Sequence, residues 1–151
     1  MEAEFPAVKK IARPEFRVKN AKLDPNWISG FSEGECCFYV TVSPKTNQVS
    51  LFYQVELHKR DLALLEKIQM FYDNVGNIYV SANRNSARFV VSKLKDLGGV
   101  IVPHFNKYEL YGNKNTNYLI WQEIYSLVIS KNHLNKIGLT KIKKLKAQLN
   151  K

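Results

Sequence analysis

Trp27-Ile28-Ser29-Gly30-Phe31-Ser32-Glu33-Gly34-Glu35-Cys36-Cys37-Phe38 is the stretch on which the reading of this chain turns. Just ahead of it, Asp24 can cap a helix and Pro25 suits a first helical position, so the spacing predicts a short helix over Pro25–Glu35. Gly30 and Gly34 stand four residues apart on one face of that helix, with Ser29 beside them. A glycine in a helix interior costs about 1 kcal/mol relative to alanine, so two in one short helix call for a compensating contact. Gly34 could simply end the helix, but Gly30 comes too early for that. Close approach by a second helix supplies the contact, because a glycine-lined face lets two axes come nearer than larger side chains allow. No second helix of this kind occurs in the chain, so the expected partner is another copy or a related domain, meeting at Ile28, Gly30, Phe31 and Gly34. Glu33 and Glu35 close the helix. If two copies pack there, two Glu35 side chains meet at the dyad, and clustered carboxylates in a basic protein hold divalent ions. Such ions, set between carboxylates and a phosphodiester, support in-line hydrolysis by a metal-activated water. For one glutamate at a helix end, a plain solvated charge remains the alternative.

Beyond Cys36 the period changes from helical to two. Phe38, Val40 and Val42 share one face of a strand, and Tyr39, Thr41 and Ser43 the other. After a turn at 44–48, Val49, Leu51, Tyr53, Val55 and Leu57 alternate inward, completing a hairpin. A helix is expected over 60–72, stopped by Asn74 and Gly76. A second hairpin follows, with strands at 77–82 and 87–92. A short helix at 93–97 is expected to end at Gly98-Gly99, with irregular chain around Pro103-His104-Phe105 and Gly112-Asn113. Helices over 115–130 and 139–149 close the chain, the last one strongly basic, and there is no internal repeat. The order α-β-β-α-β-β-α with extra C-terminal helices is an α+β fold around one four-stranded antiparallel sheet. Residues 1–24, with Pro6, Pro14 and alternating charges, read as an extended arm or linker, and 25–151 as the folded domain.

One sheet face is apolar and would be covered by helices. The other is expected to carry Tyr39, Thr41, Ser43, Gln48, Ser50, Gln54, Tyr79, Ser81, Asn83, Arg84 and Arg88, with Lys45 at its margin and Glu56 as the carboxylate exception. These hydroxyl, amide and guanidinium groups are the donors and acceptors that read base edges in a major groove. A plain solvated face is the alternative, though such faces usually carry more Glu and Lys. The whole chain agrees in sign. Its 151 residues hold 23 Lys and Arg against 13 Asp and Glu, a formal net charge of +10, which suits a polyanionic partner, nucleic acid ahead of a membrane surface. Lys141, Lys143, Lys144 and Lys146 add phosphate-contacting charge in the last helix. A hydrophobic fraction of 45% supports a real core. No apolar run reaches the roughly 18 residues of a spanning helix, and the first residues lack a signal core, so neither a membrane nor secretion is expected. Cys36 and Cys37, adjacent and without a second pair, make neither a disulfide framework nor a zinc site.

ISGFSEGEC, Ile28 to Cys36, resembles the LAGLIDADG motif of homing endonucleases, within the wider pattern W-x-x-G-F-x-D/E-G-E-G-C/S-F. Further blocks resemble the same family in order. They are Leu57-His58-Lys59-Arg60-Asp61 with Leu64-Leu65-Glu66, Val75-Gly76-Asn77-Ile78, the run from Val102 to Leu110 against I-P-H-F-x-K-Y-P-L, and Lys114-Asn115-Thr116-Asn117-Tyr118 against K-x-x-D/N-Y/F. His133-Leu134, Gly138-Leu139, Ile142 and Asn150 fit its C-terminal pattern. The resemblance implies a half-domain that pairs into a saddle on double-stranded DNA and cuts both strands across the minor groove with Mg2+, for which Ca2+ or Mn2+ can substitute. It implies Glu35 as the metal-binding carboxylate, Lys114 near the scissile phosphate, and Gln54 at a base-contacting position. Cys36 replaces the glycine that ends the motif, Ser32 an aliphatic residue and Glu109 a proline, while Leu57 stands where many active members carry glutamine. Members hold one motif and act as homodimers, or two in a longer chain. This chain holds one, and its Leu-Asp-Pro-Asn-Trp approach resembles the joint before the C-terminal half of fungal mitochondrial intron-encoded members. Those members imply an organellar, mitochondrial compartment. The alternative is a non-cleaving module of the same fold, either a maturase-like RNA binder or an inactive half-site DNA reader.

Overall fold

The computed structural model describes residues 22–150, so most of the expected arm, residues 1–21, lies outside the described residues. Helix α1 spans Pro25–Glu35, and Oδ1 of Asp24 accepts from the backbone N–H of Asn26 at 2.8 Å and of Trp27 at 3.3 Å. The helix runs straight into β1, Cys36–Val42, which pairs antiparallel with β2, Val49–His58. A 3-10 turn at Lys59–Asp61 leads into α2, Leu62–Phe71. The second hairpin is β3, Asn77–Ser81, with β4, Ser86–Val91. The sheet order is β1-β2-β4-β3, so β2 and β4 sit at the centre and the first strand of each hairpin forms an edge. Beyond it come α3, Leu94–Asp96, a π turn at Leu97–Ile101, α4, Val102–Lys107, α5, Gly112–Ile129, and α6, Lys136–Gln148. The α+β architecture read from the periodicity is the one observed.

Alternation decides which side of the sheet is covered. Phe38, Val40, Leu51, Tyr53, Val55, Phe89 and Val91 all point into the core and are buried. Phe38 is the hub of an aromatic cluster, its ring centroid 5.3–5.5 Å from those of Tyr53, Phe105, Tyr118 and Trp121. Since Tyr118 and Trp121 belong to α5, that helix lies on the covered side, and Phe105 brings α4 to the same layer. Fully burying aromatic side chains of this size contributes on the order of 2–3 kcal/mol each.

Two serines on the inner face of α1 carry hydroxyls into this core, and both are paired. Ser32 Oγ lies 3.2 Å from the Tyr53 hydroxyl. Ser29 donates its hydroxyl to the Tyr108 carbonyl at 2.7 Å, so the contact from His104 Nε2 at 3.1 Å requires the ring nitrogen to carry the proton. The two bonds tie α1 to α4. Burial holds the His104 ring down from 6.5 to about 4, so it stays neutral.

The segment after β4 differs from expectation. Gly98-Gly99 does not end a helix, and Pro103-His104-Phe105 is not irregular: the backbone stays helical from Leu94 to Lys107 through the π turn. Gly98 is there for approach, since a Cβ on it would lie 1.9 Å from the Tyr125 hydroxyl of α5. Pro103 falls in the first turn of α4, directly after the π turn. Gly112-Asn113 opens α5 rather than preceding it. The last helix starts at Lys136, not 139, because Asn135 Oδ1 caps it by accepting from Gly138 N–H at 2.7 Å.

Gly76 turns the chain into β3 with φ +73°, and a Cβ there would sit 2.5 Å from the Val90 carbonyl oxygen. Gly76→Ala therefore combines backbone strain with a clash against a rigid strand, and should lower the unfolding free energy by about 2 kcal/mol or more, read as a lower urea midpoint. His104 sets a pH dependence. Below about 6.5 the unfolded chain takes up a proton that the folded ring refuses, so stability should be full above that pH and decline toward pH 4. Urea midpoints measured across this window should fall less steeply in His104→Gln.

Candidate nucleic-acid interface

The end of α1 collects the groups with chemical potential. Glu35 is the last helical residue and is exposed. Directly after it, Cys36 donates its N–H back to the Ser32 carbonyl and opens β1. The Cys36 carbonyl accepts from Lys114 Nζ at 2.5 Å. The lysine therefore sits one peptide from the Glu35 residue, brought across 78 residues of sequence by the start of α5. Glu33, two residues before the helix end, has a different duty: its carboxylate accepts from the backbone N–H of Tyr111, the residue that precedes α5. It fastens the start of the helix that carries Lys114.

The cysteines at this junction are not nucleophiles. Burial pushes the Cys36 thiol up to about 12, outweighing the Lys114 charge, which pulls it down. Burial also raises Cys37, again against Lys114. Both remain thiols at neutral pH. Cys36 fills a core position where the resembling motif has glycine.

The outer face of α1 is open. Gly30 and Gly34 are exposed, and a Cβ on either would meet nothing within 4 Å. Trp27 is 43% exposed and stacks on half-buried Phe31, ring centroids 5.0 Å apart. Ile28 is not on this face. It is 1% exposed, packed in this chain's own core, because it sits on the opposite side of the helix from Gly30. The open face of the helix therefore carries Trp27, Gly30, Phe31 and Gly34, without Ile28. Trp27 was legible in the 27, 30, 31, 34 spacing, which is one stripe of a helix.

On the sheet, strand register turns Tyr39, Thr41, Ser50, Gln54, Tyr79, Ser81 and Arg88 away from the core. Ser43, Lys45 and Gln48 belong to the connection between β1 and β2, and Asn83 and Arg84 to the turn between β3 and β4, so these five flank the face rather than pave it. Six outward residues escaped the sequence reading: Cys37, Phe52, His58, Asn77, Ser86 and Val90. Phe52 has the same parity as Ser50 and Gln54, but its apolar character hid it. It stacks on Tyr39, with centroids 4.6 Å apart and planes 11° from parallel. Arg88 lies over the Tyr79 ring, 5.5 Å from its centroid.

The basic last helix, α6, packs against α5 on the covered side of the sheet, and Lys141 pairs with Glu123 of α5 at 3.1 Å. Among the described residues, no group of three or more His, Cys, Asp or Glu side chains forms a metal-binding cluster, and no helix is long and apolar enough to cross a membrane.

Comparison with known proteins gives this arrangement a family. The family model described as LAGLIDADG endonuclease matches residues 28–125. The chain is 37% identical over 135 residues to the probable intron-encoded endonuclease 2 of Neurospora crassa, covering 86% of this chain and 30% of that protein. It superposes on the LAGLIDADG homing endonuclease I-LtrWI, solved bound to target DNA, with a TM-score of 0.83 at 36% identity, over 99% of this chain and 51% of that one. With the homing endonuclease I-TnaI the TM-score is 0.80 at 30% identity, over 87% of this chain and 90% of that one. The chain thus spans about a third of the Neurospora protein, half of I-LtrWI and most of I-TnaI. With the matching core, the glycine-faced helix and the outward polar sheet on one scaffold, this chain belongs to the LAGLIDADG endonuclease family.

Proposed function

We propose that this chain is one half of a site-specific endonuclease that hydrolyses phosphodiester bonds of double-stranded DNA across the minor groove, working as a homodimer with divalent metal ions. One observation carries the reading: exposed Glu35 and tethered Lys114 stand at the same end of a helix whose outer face is open. A single chain offers one carboxylate there and, among the described residues, no ligand cluster. A second copy packed on Trp27, Gly30, Phe31 and Gly34 would bring its own Glu35 to the first. Paired carboxylate oxygens are hard ligands and suit Mg2+, with Ca2+ or Mn2+ able to substitute. When bound, such ions supply an activated water and charge neutralisation at the phosphate. The chain's own contribution is placement. Glu33 pins the start of α5, the Cys36 carbonyl holds Lys114 in position, and its ammonium offers fixed positive charge to the phosphate. Base recognition belongs to the outward sheet face, and Lys45 and Arg84 at its flanks are placed to meet phosphates. The intron-encoded name of the Neurospora relative supports an intron-encoded, organellar origin for this chain.

A second reading, a non-cleaving nucleic-acid module, has one observation in its favour. Leu57 is aliphatic, half-buried and packed on the core, so it offers no hydrogen bond to a hydrolytic water. The same experiment separates the two. Incubated with Mg2+ and a randomised duplex library, the chain should cut palindromic sites. Glu35→Gln should abolish cutting while retaining binding in Ca2+, and Lys114→Ala should slow it by roughly 10²–10³. Selective binding with no cutting by the wild-type chain would decide for the second reading.

The open glycine face makes a prediction with opposite signs for folding and pairing. Gly30→Ala should raise the stability of the single chain by up to about 1 kcal/mol, since a better helix former enters empty space. It should weaken self-association, measured by sedimentation equilibrium. Unchanged association would remove α1 as the contact.

A further inference from the structure

On the outward sheet face two side chains, one from the edge strand β1 and one from the adjacent central strand β2, are tied together. The Tyr39 hydroxyl of β1 donates to Oε1 of Gln54 on β2 at 3.3 Å. The Tyr39 ring is held flat against Phe52, its direct cross-strand partner, at 4.6 Å between centroids. Burial raises the pKa of the Tyr39 hydroxyl, against the pull of Arg88, so at neutral pH it keeps the proton it donates. Phe52 thus fixes the ring and the ring fixes the amide.

A glutamine has a donor end and an acceptor end, and an unrestrained one presents either. Adenine is read with both, the oxygen accepting from N6–H and the nitrogen donating to N7, whereas guanine presents two acceptors, N7 and O6. In Gln54 the Tyr39 hydroxyl takes one of the two lone pairs of the acceptor end and holds the amide against flipping, which favours the amino group as the end offered to the groove. Arg88, held over Tyr79 on the neighbouring strands, is a donor-only group. We propose that Tyr39 is a positioning residue for base recognition: by engaging the acceptor end of Gln54 it makes this position select guanine over adenine. The inference rests on the DNA reading above and deepens it. It assigns Tyr39 a role through Gln54 rather than a base contact of its own, and it names the base edge.

The test is selection of binding sites from a randomised duplex library in Ca2+ buffer, using the 151-residue chain as wild type, Gln54→Ala and Tyr39→Phe. Gln54→Ala marks the base pair read by Gln54 as the one whose preference flattens, and the wild-type chain should favour guanine there. Tyr39→Phe keeps the ring and its stack, so the thermal midpoint and the preferences at other positions should hold. At the Gln54 position alone the guanine-to-adenine ratio should fall roughly fivefold or more, the scale of one lost discriminating contact. An unchanged ratio in Tyr39→Phe overturns the proposal. So does adenine favoured by the wild-type chain, or Gln54→Ala flattening no position. If the wild-type chain enriches no site at all, the DNA reading itself fails and this inference falls with it.

Discussion

Helix α1 passes into strand β1 without a connecting residue, and the Cys36 peptide carries the whole junction. Its N–H closes the helix on Ser32, its carbonyl takes Lys114, and its side chain is packed in the core. Three elements are therefore fixed relative to one another by one residue. Glu35 is the residue directly before this junction and is exposed. A loop at this joint would leave the carboxylate less firmly placed.

The same helix keeps two opposite faces distinct. Inward, Ile28 supplies apolar area, while Ser29 and Ser32 bring hydroxyls that find partners in His104, Tyr108 and Tyr53. A buried hydroxyl without a partner costs roughly 1–3 kcal/mol, so these serines are tolerable only because α4 and β2 present matching groups. Outward, the two glycines leave a shallow strip bordered by Trp27 and Phe31. One short helix thus combines low side-chain volume on its open side with paired hydroxyls on its buried side.

The sheet divides in the same way. Its covered side is a closely packed aromatic cluster around Phe38, and its free side carries hydroxyls, an amide and a guanidinium that lean on aromatic neighbours. Tyr39 on Phe52, and Arg88 over Tyr79, restrict side chains that would otherwise sample many rotamers. Restriction of this kind lowers the entropy lost when a ligand is bound. The lysines of α6 belong to another layer, and Lys141 has a partner in Glu123, so net charge along the sequence is a poor guide to which charges face which side.

Short-range chemistry in the sequence was enough for α1, for both hairpins and for the parity of their strands, because capping, period and turn residues act within a few positions. It also marked Gly30 and Gly34, whose type is unusual for a helix interior, and Glu35 at the helix end. What needed the tertiary structure was anything set by a distant neighbour. Gly98 looked like a helix stop until Tyr125 occupied the space beside it, and Ile28 looked available until the core enclosed it. Glu33 and Lys114 became parts of one junction only when α5 was laid against α1, and Tyr39 and Gln54 became one unit only when β1 was registered against β2. Local sequence determines backbone preference over one or two turns. Which side chains then share a volume depends on how the elements pack, and that is decided by the fold as a whole.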